Sequence, residues 1–312
     1  MRAQAIRGSS LDPKVLDQLS KLSFVARQIV EGFQAGQHTS PLRGSSVEFA
    51  QHREYVPGDD PRFLDDKIFA KSDRLVVKEF VEETNFACHL LVDCSASMGF
   101  GTAGKTSTGA PRTKLLYATW CAAALGYLVL RQRDTAGLVL FDEAPRAKVP
   151  PGNGAPQAAS ILQLLEAAEP KGETKVGDCL DWIVGRLRQR GIVCLFSDFF
   201  DEPDRIVEGV RRLRVAGHEP ILFQVLDPRE IDFEFSGHLR LDALEGGDRV
   251  KVDAKAIQTA YREELERHQE ELRSKCRSIG VDLVELTTEV SPDVALSAYL
   301  STRMARSRGA RR

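Results

Sequence analysis

The chain has no stretch of about 18 consecutive apolar residues, and its opening segment, "MRAQAIRGSSLDPK", lacks the apolar run of a secretory leader. Neither membrane insertion nor secretion is expected, and the location expected is cytoplasmic. Charge of one sign is also missing. Lys+Arg 43 against Asp+Glu 45 leaves a net charge of −2, so no global basic field exists to hold nucleic acid or anionic lipid. The basic ending "RMARSRGARR" reads as a solvated tail. The six cysteines are scattered with no CxxC pair, which argues against a disulfide framework or a zinc site and for buried, reduced thiols. No Walker loop, GxSxG or HExxH occurs.

What is present is an ordinary globular composition, 42% hydrophobic and 28% charged over 312 residues, enough for one main domain with an appendage. Residues 12–33 carry helix signals: Asp12 as cap, Pro13 in the first turn, and Leu16, Leu19, Leu22, Ile29 and Phe33 near helical period. Residues 34–85 are dense in charges of both signs and broken by Pro57-Gly58 and Pro61, and only "RLVVKEF" reads clearly as a strand. The organisation expected is therefore 1–85, a helix and charged segment, followed by 86–312, the main domain.

From residue 86 the pattern becomes regular. Strand-like runs at 86–93, 135–141, 191–198, 220–227 and 281–288 alternate with helical stretches near 113–131, 155–168, 176–190, 203–216, 254–279 and 292–306. Continuous apolar strands alternating with helices predict an α/β domain, a doubly wound, mostly parallel sheet covered on both faces. "KLLYATWCAAALGYLVL" is apolar nearly all round, as a helix buried on several sides would be. Residues 238–254 predict a small hairpin insertion turning at Gly246-Gly247.

Ligands of such sheets bind at the carboxyl ends of the strands, where "LLVDCSASMGFG" and "LFSDFFD" place Asp93 and Asp198. Three chemistries compete there. Gly99, Gly101 and Gly104 formally spell GxGxxG, but they start six residues after the strand and well before the next helix, which is the wrong context for a dinucleotide. A hydrolase could use Asp93 as nucleophile, yet Ser95 stands where a second acid is common. The only histidine close in sequence to either aspartate, His89, reads as a packed strand residue. A metal site is the third reading. If residues 93–97 stay extended, Asp93, Ser95 and Ser97 point the same way. Asp198 adds a second carboxylate, and Thr174 in "KGETKVGDCL" could add a hydroxyl, with Thr106, Thr108 and Thr113 as alternatives. Hard oxygen donors with room for water suit Mg²⁺. The bland alternative is that these residues only cap strand ends and turns.

Asp93-x-Ser95-x-Ser97, then Thr174, then Asp198 resembles the metal-ion-dependent adhesion site of von Willebrand factor type A domains, in that chain order. The segment "GQHTSPLRGSSVEFAQHREYVPGDDPRFLDDKIFAKSDRLVVKEFVEETN", with "FEFSGHLRLDALEGGDRVKVD", "YREELERH" and "YLSTR" further on, resembles the bacterial "domain of unknown function 58" proteins over nearly the whole chain. One departure is Asp65-Asp66 where that family usually has Asp-Trp. The resemblance implies a non-enzymatic protein-interaction module whose Mg²⁺ (or Mn²⁺), held by Asp93, Ser95, Ser97, Thr174 and Asp198, receives an acidic side chain from a partner. It further implies a MoxR-type AAA+ ATPase as partner, in chaperone-like maturation or remodelling of an unknown client. The interleaved charges of the N-terminal segment, among them Arg53, Asp59, Asp60, Arg62 and Asp65, form either a docking surface for that partner or a structural clasp. A metal-dependent hydrolase built on Asp93 and Asp198 is the competing function.

Overall fold

The computed structural model describes residues 47–56, 64–65, 68–69, 74–82, 87–103, 111–233, 235, 238–241 and 250–309. The helix expected over 12–33 lies outside them. The chain divides into two compact units, one holding residues 87–312 and the other residues 42–86. In the smaller unit β1 (Val47–Glu54) pairs antiparallel with β2 (Val76–Glu82), with an irregularity between Phe49 and Gln51. Sequence reading found β2 but not β1, whose "VEFAQHRE" alternates too weakly to stand out from its charged surroundings.

In chain order the larger unit runs β3 (Ala87–Asp93), α1 (Lys114–Arg131), β4 (Thr135–Phe141), β5 (Pro145–Gly152), α2 (Gly154–Glu166), α3 (Val176–Val184), β6 (Gly191–Ser197) and α4 (Pro203–Val215). It continues through β7 (Glu219–Leu226), α5 (Pro228–Asp232), β8 (His238–Leu241), β9 (Val250–Asp253), α6 (Ala254–Ser278), β10 (Asp282–Thr287) and α7 (Pro292–Gly309). The six-stranded sheet has the order β10-β7-β6-β3-β4-β5. Every pairing is parallel except that of β5 with β4. This is the doubly wound α/β fold that the alternation of strands and helices predicted. β8 and β9 form the expected antiparallel hairpin, His238 facing Asp253 and Leu241 facing Val250.

Burial explains the pattern. β3 and β6 are buried along their whole length and β7 everywhere but Glu219, because helices cover both faces of the sheet centre. Leu91, Val193, Leu195 and Leu222 meet α3, α4 and α6 through Leu180, Ile183, Ile206, Val210, Leu213 and Leu272. On α1 thirteen of eighteen residues are buried, which accounts for a helix without a polar face. β5, "PRAKVPPG", was missed because Pro150 and Pro151 argue against a strand. It lies at the sheet edge, where a missing amide costs no ladder bond. α3 stops at Val184 rather than 190, capped by Gly185.

Strand order fixes where the site falls. From β3 the chain moves to β4 on one side, and from β6 it moves to β7 on the other. The switch point therefore lies between β3 and β6, the position at which doubly wound sheets bind ligands. Val92 is paired with Phe196, which brings the strand ends carrying Asp93 and Asp198 side by side.

Candidate functional site

Beyond Asp93 the chain does not stay extended, as the sequence reading supposed. Ser95 is extended, but Ala96–Gly99 form a 3-10 turn closed by Met98 N–H to Ser95 O at 3.1 Å and Phe100 N–H to Ser97 O at 3.1 Å. Two backbone bonds clamp this turn to the loop that follows α2: Lys171 N–H to Cys94 O at 2.8 Å and Ala96 N–H to Gly172 O at 2.9 Å. That clamp is what delivers Thr174. Gly172 has φ +80°, a conformation costly for other residues, and its Cα faces the Asp142 carboxylate. Gly101, after the turn, is closely packed, since a Cβ there would lie 2.2 Å from Arg112 O.

The five sequence-predicted site residues converge. Ser97 Oγ donates to Asp198 Oδ2 at 2.7 Å, and it lies 3.1 Å from Ser95 Oγ and 3.5 Å from Thr174 Oγ1. Asp93 Oδ1 accepts from the Ser95 amide at 2.8 Å, and its Oδ2 accepts from Ser197 Oγ at 2.5 Å. Asp93, Ser95 and Asp198 are fully buried, while Ser97 and Thr174 are half-buried, so two of the three hydroxyls reach the surface over a buried floor. Of the alternative threonines, Thr113 is engaged elsewhere: its side chain caps α1, accepting from Leu116 N–H at 3.1 Å. Thr106 and Thr108 lie outside the described residues.

Several residues that shape the site were not picked out from the sequence. Ser197 holds Asp93 and also accepts from Phe199 N–H at 3.0 Å. Phe199 takes the left-handed conformation, φ 57°, so that the chain turns sharply after Asp198. Phe199 then enters the core while Phe200 emerges at 38% exposure. His268 Nε2 lies 2.9 Å from Phe199 O, and Gln224 Nε2 donates to Asp198 O at 3.1 Å, bracing that turn. His89 is the packed strand residue expected, 4% exposed, with Nε2 3.0 Å from Gln189 O.

The largest omission is Lys114. Its ammonium is fully buried and donates to Asp198 Oδ2 at 2.8 Å and to Glu230 Oε1 at 2.6 Å. A signal existed: a lysine as first residue of an otherwise apolar helix, where the positive end of the helix dipole disfavours a cation. Glu230 is the third residue of α5, and its other oxygen accepts from Asp227 N–H at 3.0 Å. Asp227 in turn accepts from the amides of Thr102 at 2.7 Å, Ala103 at 3.2 Å and Arg229 at 3.0 Å, from Thr288 Oγ1 at 3.2 Å, and from the Thr102 hydroxyl.

The electrostatics follow from these partners. Burial, and then the charge of Asp198, push the Asp93 carboxyl up to about 7 despite its bonds from Ser197 and Ser95. Burial alone would lower the Lys114 value, but Asp198 and Glu230 outweigh it and keep the ammonium charged. Burial raises Glu230 against the pull of Lys114. The Lys114 ammonium is thus shared by Asp198 and Glu230, while Asp93 has the Asp198 carboxylate as its charged neighbour. Hydroxyls at the opening with carboxylates behind them fit a small hard divalent cation, with Ser95, Ser97 and Thr174 as the neutral oxygen donors and Asp93 and Asp198 supplying charge. Among the described residues no three His, Cys, Asp or Glu side chains converge on a metal position. The fit is therefore to a hydroxyl-built site and not to a carboxylate or imidazole cage.

Of the N-terminal residues singled out as a docking surface, Asp59, Asp60 and Arg62 lie outside the described residues. Arg53 is half-buried on β1 and donates to Glu54 O at 3.1 Å. Asp65 is 8% exposed, and its carboxylate accepts from Ile68 N–H at 3.3 Å. All six cysteines are free and buried. Among the described residues no helix is long and apolar enough to cross a membrane.

Among relatives, uncharacterized proteins of Mycobacterium tuberculosis and Mycobacterium bovis are 28% identical over 294 residues, covering 91% of this chain and 88% of theirs. Among solved structures, BatB from Bacteroides thetaiotaomicron aligns with TM-score 0.45 at 16% identity, covering 70% of this chain and 99% of that one. An aerotolerance-related membrane protein from Bacteroides fragilis aligns with TM-score 0.45 at 14% identity, covering 71% and 99%. The SpRpn10 VWA domain aligns with TM-score 0.41 at 13% identity, covering 68% and 93%. Residues 51–271 match the family described as "Protein of unknown function DUF58", and with more than half of its length so matched the chain belongs to that family.

Proposed function

We propose that this protein is a non-enzymatic interaction module whose binding face is completed by a divalent cation, Mg²⁺ or Mn²⁺. The observation that carries the reading is the convergence of buried Ser95 with half-buried Ser97 and Thr174 in one hydroxyl cluster at the switch point, beside the buried carboxylates of Asp93 and Asp198. Because the donors nearest solvent are neutral hydroxyls, a cation there keeps much of its charge and attracts a carboxylate from a partner. Phe200, exposed beside the Lys114 ammonium, with Nζ 5.0 Å from its ring centroid, supplies an apolar contact at the rim. The partner implied by the family resemblance is a MoxR-type AAA+ ATPase acting on a client protein.

A pull-down of the cognate ATPase with and without EDTA tests this, using wild type, Ser95→Ala/Ser97→Ala and Asp59→Lys/Asp60→Lys. The expected result is loss on chelation and in the serine variant, with the charge reversals making the remaining binding less salt-dependent, since exposed pairs are screened beyond ~8 Å at physiological ionic strength. Binding that ignores EDTA and the serine changes overturns the metal-dependent reading. We further propose binding without turnover. Metal-dependent activity in a phosphatase and nuclease panel, lost in Asp93→Ala, would favour the hydrolase instead.

A further inference from the structure

We propose that Lys114 is a built-in competitor for the metal: its ammonium occupies Asp198 until a divalent cation arrives, whereupon it is held by Glu230 alone. The inference rests on the metal-dependent reading above and adds its regulation. Three observations carry it. First, the ammonium shares a single oxygen, Asp198 Oδ2, with the Ser97 hydroxyl, at 2.8 Å and 2.7 Å. The ammonium therefore sits on the Asp198 oxygen that Ser97 also engages, within the group of residues that would hold the metal. Second, Lys114 has a second acceptor already in place, Glu230 Oε1 at 2.6 Å. Releasing Asp198 does not strand the buried charge, which would otherwise be prohibitive. Third, Glu230 is itself fixed. Its other oxygen accepts from Asp227 N–H in a capping box at the start of α5, and Pro228 fixes the backbone there.

The arrangement spans two elements that bear on the binding face. Lys114 begins α1, and its amide donates to Phe100 O at 2.9 Å, at the start of the loop that follows the 3-10 turn. The Asp227 that positions Glu230 also holds Thr102 and Ala103 of the same loop. Shifting the ammonium from two acceptors to one thus changes the load on both anchors of residues 100–103. A site with this counter-cation binds metal more weakly than the same oxygens would alone. It releases metal readily, a property suited to a contact that must be made and broken.

Calorimetric titration with Mn²⁺ of the full chain tests this with two substitutions that act in opposite directions. Lys114→Met removes the competitor and keeps the side-chain length, and Mn²⁺ affinity is expected to rise about tenfold, equivalent to about 1.4 kcal/mol. Glu230→Gln leaves the ammonium with Asp198 alone, and affinity is expected to fall several-fold. A role in folding only would make both variants less stable without moving their affinities apart. Weaker or unchanged binding in Lys114→Met overturns the proposal while leaving the metal reading intact. If Lys114→Met does not fold, Glu230→Gln decides alone, and tighter or unchanged binding there overturns it. Absence of Mn²⁺ binding in wild type and both variants removes the metal reading and this inference together.

Discussion

Asp93 and Asp227 are the same residue type at equivalent places, the carboxyl ends of two strands of one sheet, and both are fully buried, yet their chemistry is opposite. Asp227 is met by five donors from Thr102, Ala103, Arg229 and Thr288. Burial would raise its value, but those bonds outweigh it and hold the carboxyl below the ordinary aspartate value. Asp93 has the Ser95 amide and the Ser197 hydroxyl, with the Asp198 carboxylate as neighbour, and is pushed up to about 7. The difference teaches that burial alone does not mark a functional carboxylate. One whose charge the protein already satisfies is an anchor, and one whose charge is left over is a candidate functional carboxylate.

The largest expected effect is on the anchor. Asp227→Ala strips the acceptor from five donors, and urea unfolding should show a loss of about 3 kcal/mol or more, since each buried donor left unmade costs roughly 1–3 kcal/mol. A loss below about 1 kcal/mol would place Asp227 in the same class as Asp93 and dissolve the contrast. Next comes Asp93→Asn, which removes an unsatisfied charge while keeping the shape. In metal-free buffer at pH 8 it should raise stability, by on the order of 1 kcal/mol. Destabilisation of the metal-free protein would mean that the protein already satisfies the ionised carboxylate.

The smallest effect is the pH dependence of the metal's stabilisation. Because the Asp93 value is raised to about 7 in the folded state, the folded protein keeps a proton that the unfolded chain releases above the ordinary carboxylate range. Its contribution to stability therefore falls as pH rises through that window, and the penalty is complete above about pH 7. A divalent cation bound beside Asp93, as proposed, would relieve that penalty. Millimolar Mg²⁺ should raise the unfolding midpoint by a few degrees at pH 8 and by less at pH 5.5, as scanning calorimetry can measure. An equal shift at both values, or a larger one at pH 5.5, would separate Asp93 from the metal.

Much of this was legible in the sequence, because burial on both faces turns strands into continuous apolar runs and leaves helices between them. Asp93 and Asp198 could be read for the same reason, since strand ends are marked by the runs that precede them, whereas Thr174 was singled out from the other threonines only by the family resemblance. What could not be read depends on distance across the fold. β5 hides behind Pro150 and Pro151, which are harmless only at an edge. The 3-10 turn after Ser95 is set by the clamp from Lys171 and Gly172, residues about 75 positions away. Lys114 stands out only as a lysine opening an apolar helix, and Glu230 is an ordinary glutamate until α1 and α5 bring the two together beside Asp198.

The central claim is that the carboxylate left unsatisfied beneath the hydroxyl cluster belongs to a metal. Isothermal titration of Mn²⁺ into wild type and Asp93→Asn at pH 8, at low salt, tests it most directly. The account predicts a single weak site in the wild type that is absent in the variant. Equal binding in both proteins, or none in the wild type at millimolar Mn²⁺, would contradict it.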